Sequence, residues 1–175
     1  MPEERVMVFI DGSNFYRCLK SQFGMVNVDF LKLASLLCSN RKLIRIYYYN
    51  AVVRQEDGEE RYKEQQRFFE RLRDVPYLEL RLGRLEKRGN TVVEKGIDVA
   101  IATDMLRRAY SNAYDTAILV SGDADLVPAV EGAKDLGKHV ENAFVYIGHS
   151  RHLRQTCDRF TLLDKAMMDQ CWLSK

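Results

Sequence analysis

The 175-residue sequence predicts an α/β protein with a mainly parallel sheet. Short apolar or β-branched runs alternate along the chain with segments of helical length, an order typical of α/β folds. Several of the apolar runs stop at Gly or Asp, as expected where buried strands end in turns. No internal repeat, low-complexity stretch or linker interrupts this alternation, so we expect one domain.

Five elements are predicted in the first half of the chain. They are a strand at 5–10, helices at 14–23 and 29–38, a strand at 43–49 and a helix at 59–73. The first strand is an apolar run that stops at Asp11-Gly12, and Ser13 and Asp29 are the predicted caps of the next two helices. The strand at 43–49 is β-branched and aromatic, whereas the helix after it is amphipathic.

The second half continues the same alternation. The predicted elements are strands at 77–82 and 91–93, a helix at 97–110, a strand at 115–120, a helix at 126–136, a strand at 139–147, a short helix from Ser150, an edge strand at 159–163 and a terminal helix to Trp172. Gly89-Asn90 marks the turn between the first two strands. Gly137 is placed to end the helix before it.

Composition excludes some classes of protein. The 27 basic and 25 acidic residues give a net charge of +2, too mild to indicate a nucleic-acid binder by itself. No apolar run approaches the roughly 20 residues of a membrane span, and the N-terminus lacks a signal-peptide pattern. The four cysteines form no C-x-x-C pair, which favours reduced thiols. We therefore expect a cytoplasmic protein.

Acidic residues follow two of the predicted strands. Asp11 ends the first strand, and Asp123 and Asp125 follow the strand at 115–120 through Ser121-Gly122. Ligands of open parallel sheets bind outside the carboxyl ends of the strands. Asp11 alone or Asp125 alone is also explained as a turn former or a helix cap. Capping does not account for two carboxylates within one S-G-D-A-D turn.

Asp98 and Asp104 lie on the predicted helix at 97–110. On a helical wheel, Ala102, Met105 and Ala109 fall within about 40° of Asp98, so we expect Asp98 in the middle of the apolar stripe. A buried carboxylate needs hydrogen bonds, a partner charge or a metal. The alternative for Asp98 is an acid satisfied by backbone amides in the first turn. Asp104 falls at the edge of the stripe. It is expected to be either a surface or supporting carboxylate or a residue with a functional role.

Carboxylates gathered at one sheet edge repel one another unless a cation lies between them. Oxygen ligands suit magnesium or manganese rather than zinc. A divalent cation held by carboxylates activates water and stabilises the leaving oxygen in phosphodiester hydrolysis. The residues therefore predict a magnesium or manganese site with this chemistry.

Three motifs carry a family resemblance: F-I-D-G-S-N-F at 9–15, K-G-I-D at 95–98 with A-T-D at 102–104, and S-G-D-A-D-L at 121–126. In this order and spacing they resemble the NYN domain, specifically the LabA-like branch of the PIN-like nuclease group. The resemblance covers residues 5–147 and leaves 148–175 as an extension packed on that core. It implies a three-layer PIN-like fold with strand order 3-2-1-4-5.

The resemblance also implies functional roles for particular residues. Asp11, Asp98, Asp123 and Asp125 match the metal-binding catalytic acids of a ribonuclease. Asn14, Ser121, Lys95 and Asp104 are implied to line the site, with Lys95 contacting phosphate. A phosphatase of the haloacid dehalogenase type is excluded, because Phe9 stands where its nucleophilic carboxylate is required.

Two basic segments are candidates for holding an RNA backbone. Arg81, Arg84 and Arg88 precede Lys95 and Asp98, and Arg151 and Arg154 follow the strand at 139–147. Solvated charge interleaved with glutamates is the alternative for the first segment. Alternatives for the whole protein are a non-catalytic RNA- or nucleotide-binding regulator and a protein-interaction module. Trp172 packs the terminal helix or, alternatively, marks a homodimer contact.

Overall fold

The computed structural model describes residues 2–174, which form seven strands and seven α-helices. The strands are β1 (Arg5–Asp11), β2 (Lys42–Val52), β3 (Leu78–Arg88), β4 (Thr91–Lys95), β5 (Thr116–Val120), β6 (His139–Phe144) and β7 (Arg159–Leu162). The helices are α1 (Gly12–Phe23), α2 (Phe30–Cys38), α3 (Glu59–Arg73), α4 (Ile97–Tyr110), α5 (Val127–Asp135), α6 (Arg151–Thr156) and α7 (Lys165–Met168).

The strands form one sheet in the order β4-β3-β2-β1-β5-β6-β7. The pairs among β3, β2, β1, β5, β6 and β7 are parallel, and β3 and β4 form an antiparallel hairpin. The predicted five-strand order 3-2-1-4-5 does not fully match this sheet, because one further strand lies at each edge. β4 folds back through the tight turn at Gly89-Asn90, and β7 lies beyond the segment that the resemblance covers.

Helices cover both faces of the sheet. One apolar layer lies between the sheet and α1, α2, α3 and α7, and the other lies between the sheet and α4, α5 and α6. The successive tyrosines of β2 alternate between the layers, as side chains of a strand must. Tyr48 packs edge-on against Phe30 with ring centroids 4.8 Å apart, whereas Tyr47 and Tyr49 face the other layer.

Several element ends differ from the predictions. Helix α1 begins at Gly12, two residues earlier than predicted, so Ser13 lies inside the helix. Asp11 is the N-cap, and its side chain accepts a hydrogen bond from the Asn14 amide. Strand β3 continues to Arg88 because it pairs with β4. Strand β6 stops at Phe144, which leaves 145–149 as a loop.

The C-terminal segment lies against the connection between α1 and α2. The Asp29 amide donates to the Cys171 carbonyl at 2.7 Å, and the Leu173 amide donates to the Asn27 carbonyl at 2.8 Å. The Trp172 ring meets Phe23 with centroids 5.9 Å apart. Trp172 therefore packs within its own chain, although α7 is shorter than the predicted terminal helix.

Two glycines allow the loop after β6 to approach the end of β5. A Cβ added at Gly122 would overlap the carbonyl group of Gly148, which is backbone and cannot rotate away. Gly148 itself has φ +88°, a conformation that favours glycine, and lies beside the Cys18 sulfur. Glycine at 122 is thus required by close backbone packing rather than by a turn.

Replacing Gly122 with Ala should therefore destabilise the fold. We expect the free energy of unfolding to fall by about 1–3 kcal/mol, the usual cost of overpacking. The matched control is Gly132→Ala in α5, where the new methyl group meets only the flexible end of Leu106 and the helix gains propensity. Chemical denaturation of both variants measures the difference. Equal stability of the two variants would contradict the close packing described here.

Candidate functional site

Asp11 is the buried acid at the centre of the candidate site. It is the last residue of β1 and only 3% exposed. The Ser121 hydroxyl donates to its Oδ2 at 3.1 Å, and the Asn14 amide donates to its Oδ1 at 3.4 Å. Burial raises the pKa of Asp11 to about 7, although both hydrogen bonds oppose this change. This carboxylate is expensive to ionise unless a positive charge lies beside it.

The sheet brings Asp123 to the same edge as Asp11. Strands β1 and β5 are parallel neighbours, with Ile10 paired to Val120, so the residues that follow them emerge together. Asp98 reaches this edge from the first turn of α4, which begins after Gly96. One carboxylate oxygen from each of Asp11, Asp98 and Asp123 lies within 4.8 Å of the others. We call these three residues the carboxylate cluster.

The cluster is electrostatically crowded. Burial, followed by the negative charge of Asp123, raises the pKa of Asp98 to about 6. Glu94 and Asp125 add to the negative potential around Asp98. The site therefore accumulates charge that water and hydrogen bonds offset only in part.

Polar side chains fix the backbone around the cluster. Asn14 Oδ1 accepts from the Gly122 amide at 2.9 Å, and the Ser121 hydroxyl accepts from the Asp123 amide at 3.1 Å while donating to Asp11. Asp123 Oδ1 in turn accepts from the Asp125 amide at 2.9 Å. Asn14 lines the cleft over the cluster, whereas Ser121 is buried behind it and contacts Asp11 and the Asp123 amide.

A cleft of about 220 Å³ opens over the cluster. Arg17 and Glu94 also line this cleft, and neither is among the residues predicted from the sequence. Arg17 lies one helical turn after Asn14, so the i, i+3 spacing on α1 is the signal that could have found it. Glu94 immediately precedes the K-G-I-D motif, yet nothing in the sequence shows that it, rather than Lys95, turns towards the cleft.

Asp104 and Asp125 occupy different positions from those expected. Asp104 is buried on the core side of α4, where Oδ2 accepts from the Tyr49 hydroxyl at 2.8 Å, so it does not line the cleft. Asp125 is exposed and lies outside the carboxylate cluster. The apolar face of α4 runs through Ile97, Ile101 and Met105, which leaves Asp98 half-buried beside it rather than at its centre.

The predicted RNA-binding residues are scattered. Arg81 is held by Asp104, with Nε to Oδ2 at 3.6 Å, and its guanidinium lies 5.6 Å from the Tyr47 ring centroid. The structure thus gives Arg81 partners within the fold. Lys95 is half-buried on β4 and does not line the cleft. The side chains that remain exposed are those of Arg84, Arg88, Arg151 and Arg154.

The donor set fits a divalent metal ion. Three aspartates offer oxygen ligands only, and within residues 2–174 no other group of three acidic, His or Cys side chains comes as close together. Hard cations such as magnesium and manganese prefer these ligands, and a bound dication relieves the repulsion among them. Asp11, Asp98 and Asp123 are the residues that would hold it.

The protein is an α/β protein with a mixed seven-stranded sheet and an acidic, cation-suited centre at the carboxyl ends of its parallel strands. Within that class, the chain belongs to the NYN domain family, whose profile matches residues 5–164. The match extends beyond residue 147 and includes β7. NYN is a PIN-like nuclease family, and its nucleases typically depend on divalent metals.

Two similar proteins have no stated activity. Over 100 residues the chain is 30% identical to the uncharacterized protein y4oD of Sinorhizobium fredii, a match that covers 55% of this chain and 45% of that protein. The chain thus spans less than half of that relative. The crystal structure of a Vibrio parahaemolyticus protein of unknown function has a TM-score of 0.76 at 24% identity, covering 93% of this chain and 94% of that one. That likeness shows the shared fold.

No helix within residues 2–174 combines the length and apolarity needed to cross a bilayer.

Asp98→Asn tests the electrostatic crowding without any substrate. In EDTA at neutral pH we expect this variant to be more stable than the parent by about 1 kcal/mol, because it removes one of three like charges with little change in shape. Millimolar magnesium or manganese should raise the parent's melting midpoint and raise the variant's less, because a ligand of the folded state stabilises it. Matched melting curves measure both effects. A destabilised variant beside a parent that ignores both metals would contradict the metal centre.

Proposed function

We propose that this protein is a metal-dependent ribonuclease of the LabA-like branch of the NYN family. It hydrolyses RNA phosphodiester bonds at the carboxylate cluster. The observation that carries this proposal is the convergence of Asp11, Asp98 and Asp123 within 4.8 Å at the carboxyl edge of the sheet. The family match supports a nuclease, and the open cleft over the acids leaves room for a phosphate group.

The chain's own residues have distinct tasks in this reaction. Asp11, Asp98 and Asp123 hold magnesium or manganese, which when bound lowers the pKa of water and neutralises charge on the scissile phosphate. The Ser121 hydroxyl keeps Asp11 oriented through its 3.1 Å hydrogen bond. Asn14 holds the Gly122 amide and so fixes the turn that carries Asp123. Their roles are to preserve the ligand geometry as substrate enters.

Arg17 supplies positive charge on the substrate side of the cleft. It lines the cleft with the three acids, and its side chain makes no ion pair with another residue in 2–174. A guanidinium in this position binds a nonbridging phosphate oxygen through charge-assisted hydrogen bonds. Asp125, outside the cluster, serves to orient Asp123 through its backbone amide. We infer that the fold is one NYN domain and works in the cytoplasm, where its four free cysteines stay reduced.

Removing a ligand charge tests the catalytic assignment. Asp11→Asn and Asp123→Asn should each reduce manganese-dependent cleavage of single-stranded RNA by more than about 100-fold. Replacing a residue that only supports a metal ligand costs up to about 100-fold, and loss of a ligand itself should cost more. Asp125→Asn should cost less, because its backbone amide remains. Asp135→Asn, at the exposed end of α5, is the matched control and should cleave like the parent. Gel assays with manganese, magnesium or EDTA report these differences.

Two results would overturn the assignment in different ways. Undiminished cleavage by both ligand variants would place the chemistry elsewhere. Tight RNA binding with no cleavage in any metal would instead identify a non-catalytic RNA-binding regulator.

The salt dependence of RNA binding tests the arginines. Each phosphate contact on single-stranded nucleic acid contributes a slope of about −0.7 in a plot of log affinity against log salt concentration. Arg17→Ala and Arg151→Ala should each weaken binding and make the slope shallower by about this amount. Arg107→Ala, exposed in the last turn of α4, should leave affinity and slope unchanged. Fluorescence anisotropy across a salt series is the measurement, and unchanged slopes would place the RNA on Arg84 and Arg88 instead.

A further inference from the structure

Three aromatic rings pack in a row near the candidate site, with interplanar angles of 57° and 43° between successive rings. The Tyr146 and His149 ring centroids are 5.6 Å apart, and those of His149 and Phe160 are 5.8 Å apart. The Arg154 guanidinium lies over the Phe160 ring, 4.6 Å from its centroid. We call Tyr146, His149 and Phe160 the aromatic platform. Its members come from the loop after β6 and from β7, so the fold rather than the sequence brings them together.

The outer end of the platform faces solvent. Tyr146 is 69% exposed, and the adjacent Ile147 is 42% exposed. Contiguous exposed apolar surface of this kind marks binding sites more often than isolated exposed residues do. His149 Nδ1 is buried with no hydrogen-bond partner within the part of the chain that the structure describes. The His149 ring lies between its two aromatic neighbours, and Tyr146 is open to solvent.

Helix α1 connects the platform loop to the carboxylate cluster. Three residues spaced four apart, and so on one side of the helix, contact successive parts of the site. Asn14 binds the Gly122 amide, Cys18 lies against Gly148, and Gln22 Oε1 accepts from the Ile147 amide at 2.8 Å. Each step of four residues advances about 6 Å along a helix. The platform loop thus begins within about two helical turns of the acids, at the same edge of the sheet.

We propose that the aromatic platform stacks an unpaired base of single-stranded RNA whose backbone crosses the carboxylate cluster. This inference rests on the proposed ribonuclease function and adds the class of substrate, a strand with bases free to turn outward. Exposed aromatic rings bind bases of any sequence because every base has a π-face, and an adjacent guanidinium adds cation–π attraction. Arg151 and Arg154, on α6 beside the platform, carry the positive charge that an RNA backbone requires. Bases within a duplex are already stacked and cannot use the platform.

The test measures binding of short single-stranded RNA that carries a fluorescent base analogue, 2-aminopurine. Parent and variants are compared in an Asp11→Asn background with magnesium, so that binding is measured without cleavage. Tyr146→Ala should weaken binding by about 5- to 100-fold, the range that loss of base stacking produces, and should abolish the fluorescence quenching of the stacked analogue. Tyr146→Phe keeps the aromatic ring and should therefore retain both the affinity and the fluorescence quenching of the parent.

Two controls separate stacking from a general effect on the protein. Tyr110 is 83% exposed at the far end of α4, so Tyr110→Ala removes an equally accessible tyrosine remote from the acids and should bind like the parent. Abasic RNA of the same length keeps the phosphates without the bases. All variants should bind abasic RNA equally. Because Tyr146 is exposed, its replacement should leave the melting midpoint unchanged.

The outcomes distinguish this inference from the function on which it rests. If the parent cleaves RNA, and Tyr146→Ala binds RNA and quenches 2-aminopurine fluorescence like the parent, base stacking on the platform is wrong and the ribonuclease function stands. A parent that neither binds nor cleaves RNA overturns the ribonuclease function and the platform with it. The parent could also bind RNA without cleaving it, with binding weakened by Tyr146→Ala but not by Tyr146→Phe. That result would support base stacking on the platform and contradict the ribonuclease function. A duplex that quenches as strongly as the single strand also contradicts the inference.

Discussion

A carboxylate buried at the end of the central strand sets the conditions that the rest of the site must meet. Asp11 is almost inaccessible to water, and two other carboxylates reach towards it. A carboxylate buried in this way stays ionised only where hydrogen bonds, a partner charge or a metal offset the loss of hydration. Ser121 and Asn14 supply the hydrogen bonds, and the Asn14 side chain also fixes the Gly122 amide. Because Gly122 has no side chain, the loop that contains Gly148 can pack directly against it. The segment that supports Asp11 therefore also determines how this neighbouring loop packs.

Local patterns were sufficient to predict most of the secondary structure and part of the site. Apolar runs that end in Asp identify strand ends, which places Asp11 and Asp123 at the carboxyl edge of a parallel sheet. That their two strands are neighbours was implied only by the family resemblance, and β1 and β5 are paired in the structure. The burial of α4 was harder to predict. A helical wheel gives the angles between residues but not the direction of the sheet. The observed face runs through Ile97 and Ile101, which buries Asp104 and leaves Asp98 at the margin.

The residues that sequence reasoning missed depend on contacts between distant segments. Glu94 faces the cleft because the hairpin of β3 and β4 ends where α4 begins. Tyr146 becomes exposed because β6 stops at Phe144, whereas the apolar composition of 139–147 favours a longer strand. Arg81 is a candidate for RNA binding from the sequence, yet in the structure it forms an ion pair with the buried Asp104. Tertiary packing decides strand lengths and ion pairs of this kind. A short stretch of sequence does not show which distant segments will pack against it.

The charge distribution makes RNA binding and metal binding interdependent. Phosphates approaching the cleft meet three aspartates, with Glu94 beside them, and unscreened like charges about 5 Å apart repel by roughly 3 kcal/mol even at an effective dielectric constant of 20. Arg17 offsets only part of this repulsion. A dication in the cluster offsets two of these negative charges, so the proposed substrate binds more tightly to the metal-loaded protein. Thermodynamic linkage then requires RNA to increase the affinity for metal by the same factor. The aromatic platform and the arginines of α6 are not part of the carboxylate cluster, so they can hold a strand before the metal completes the site.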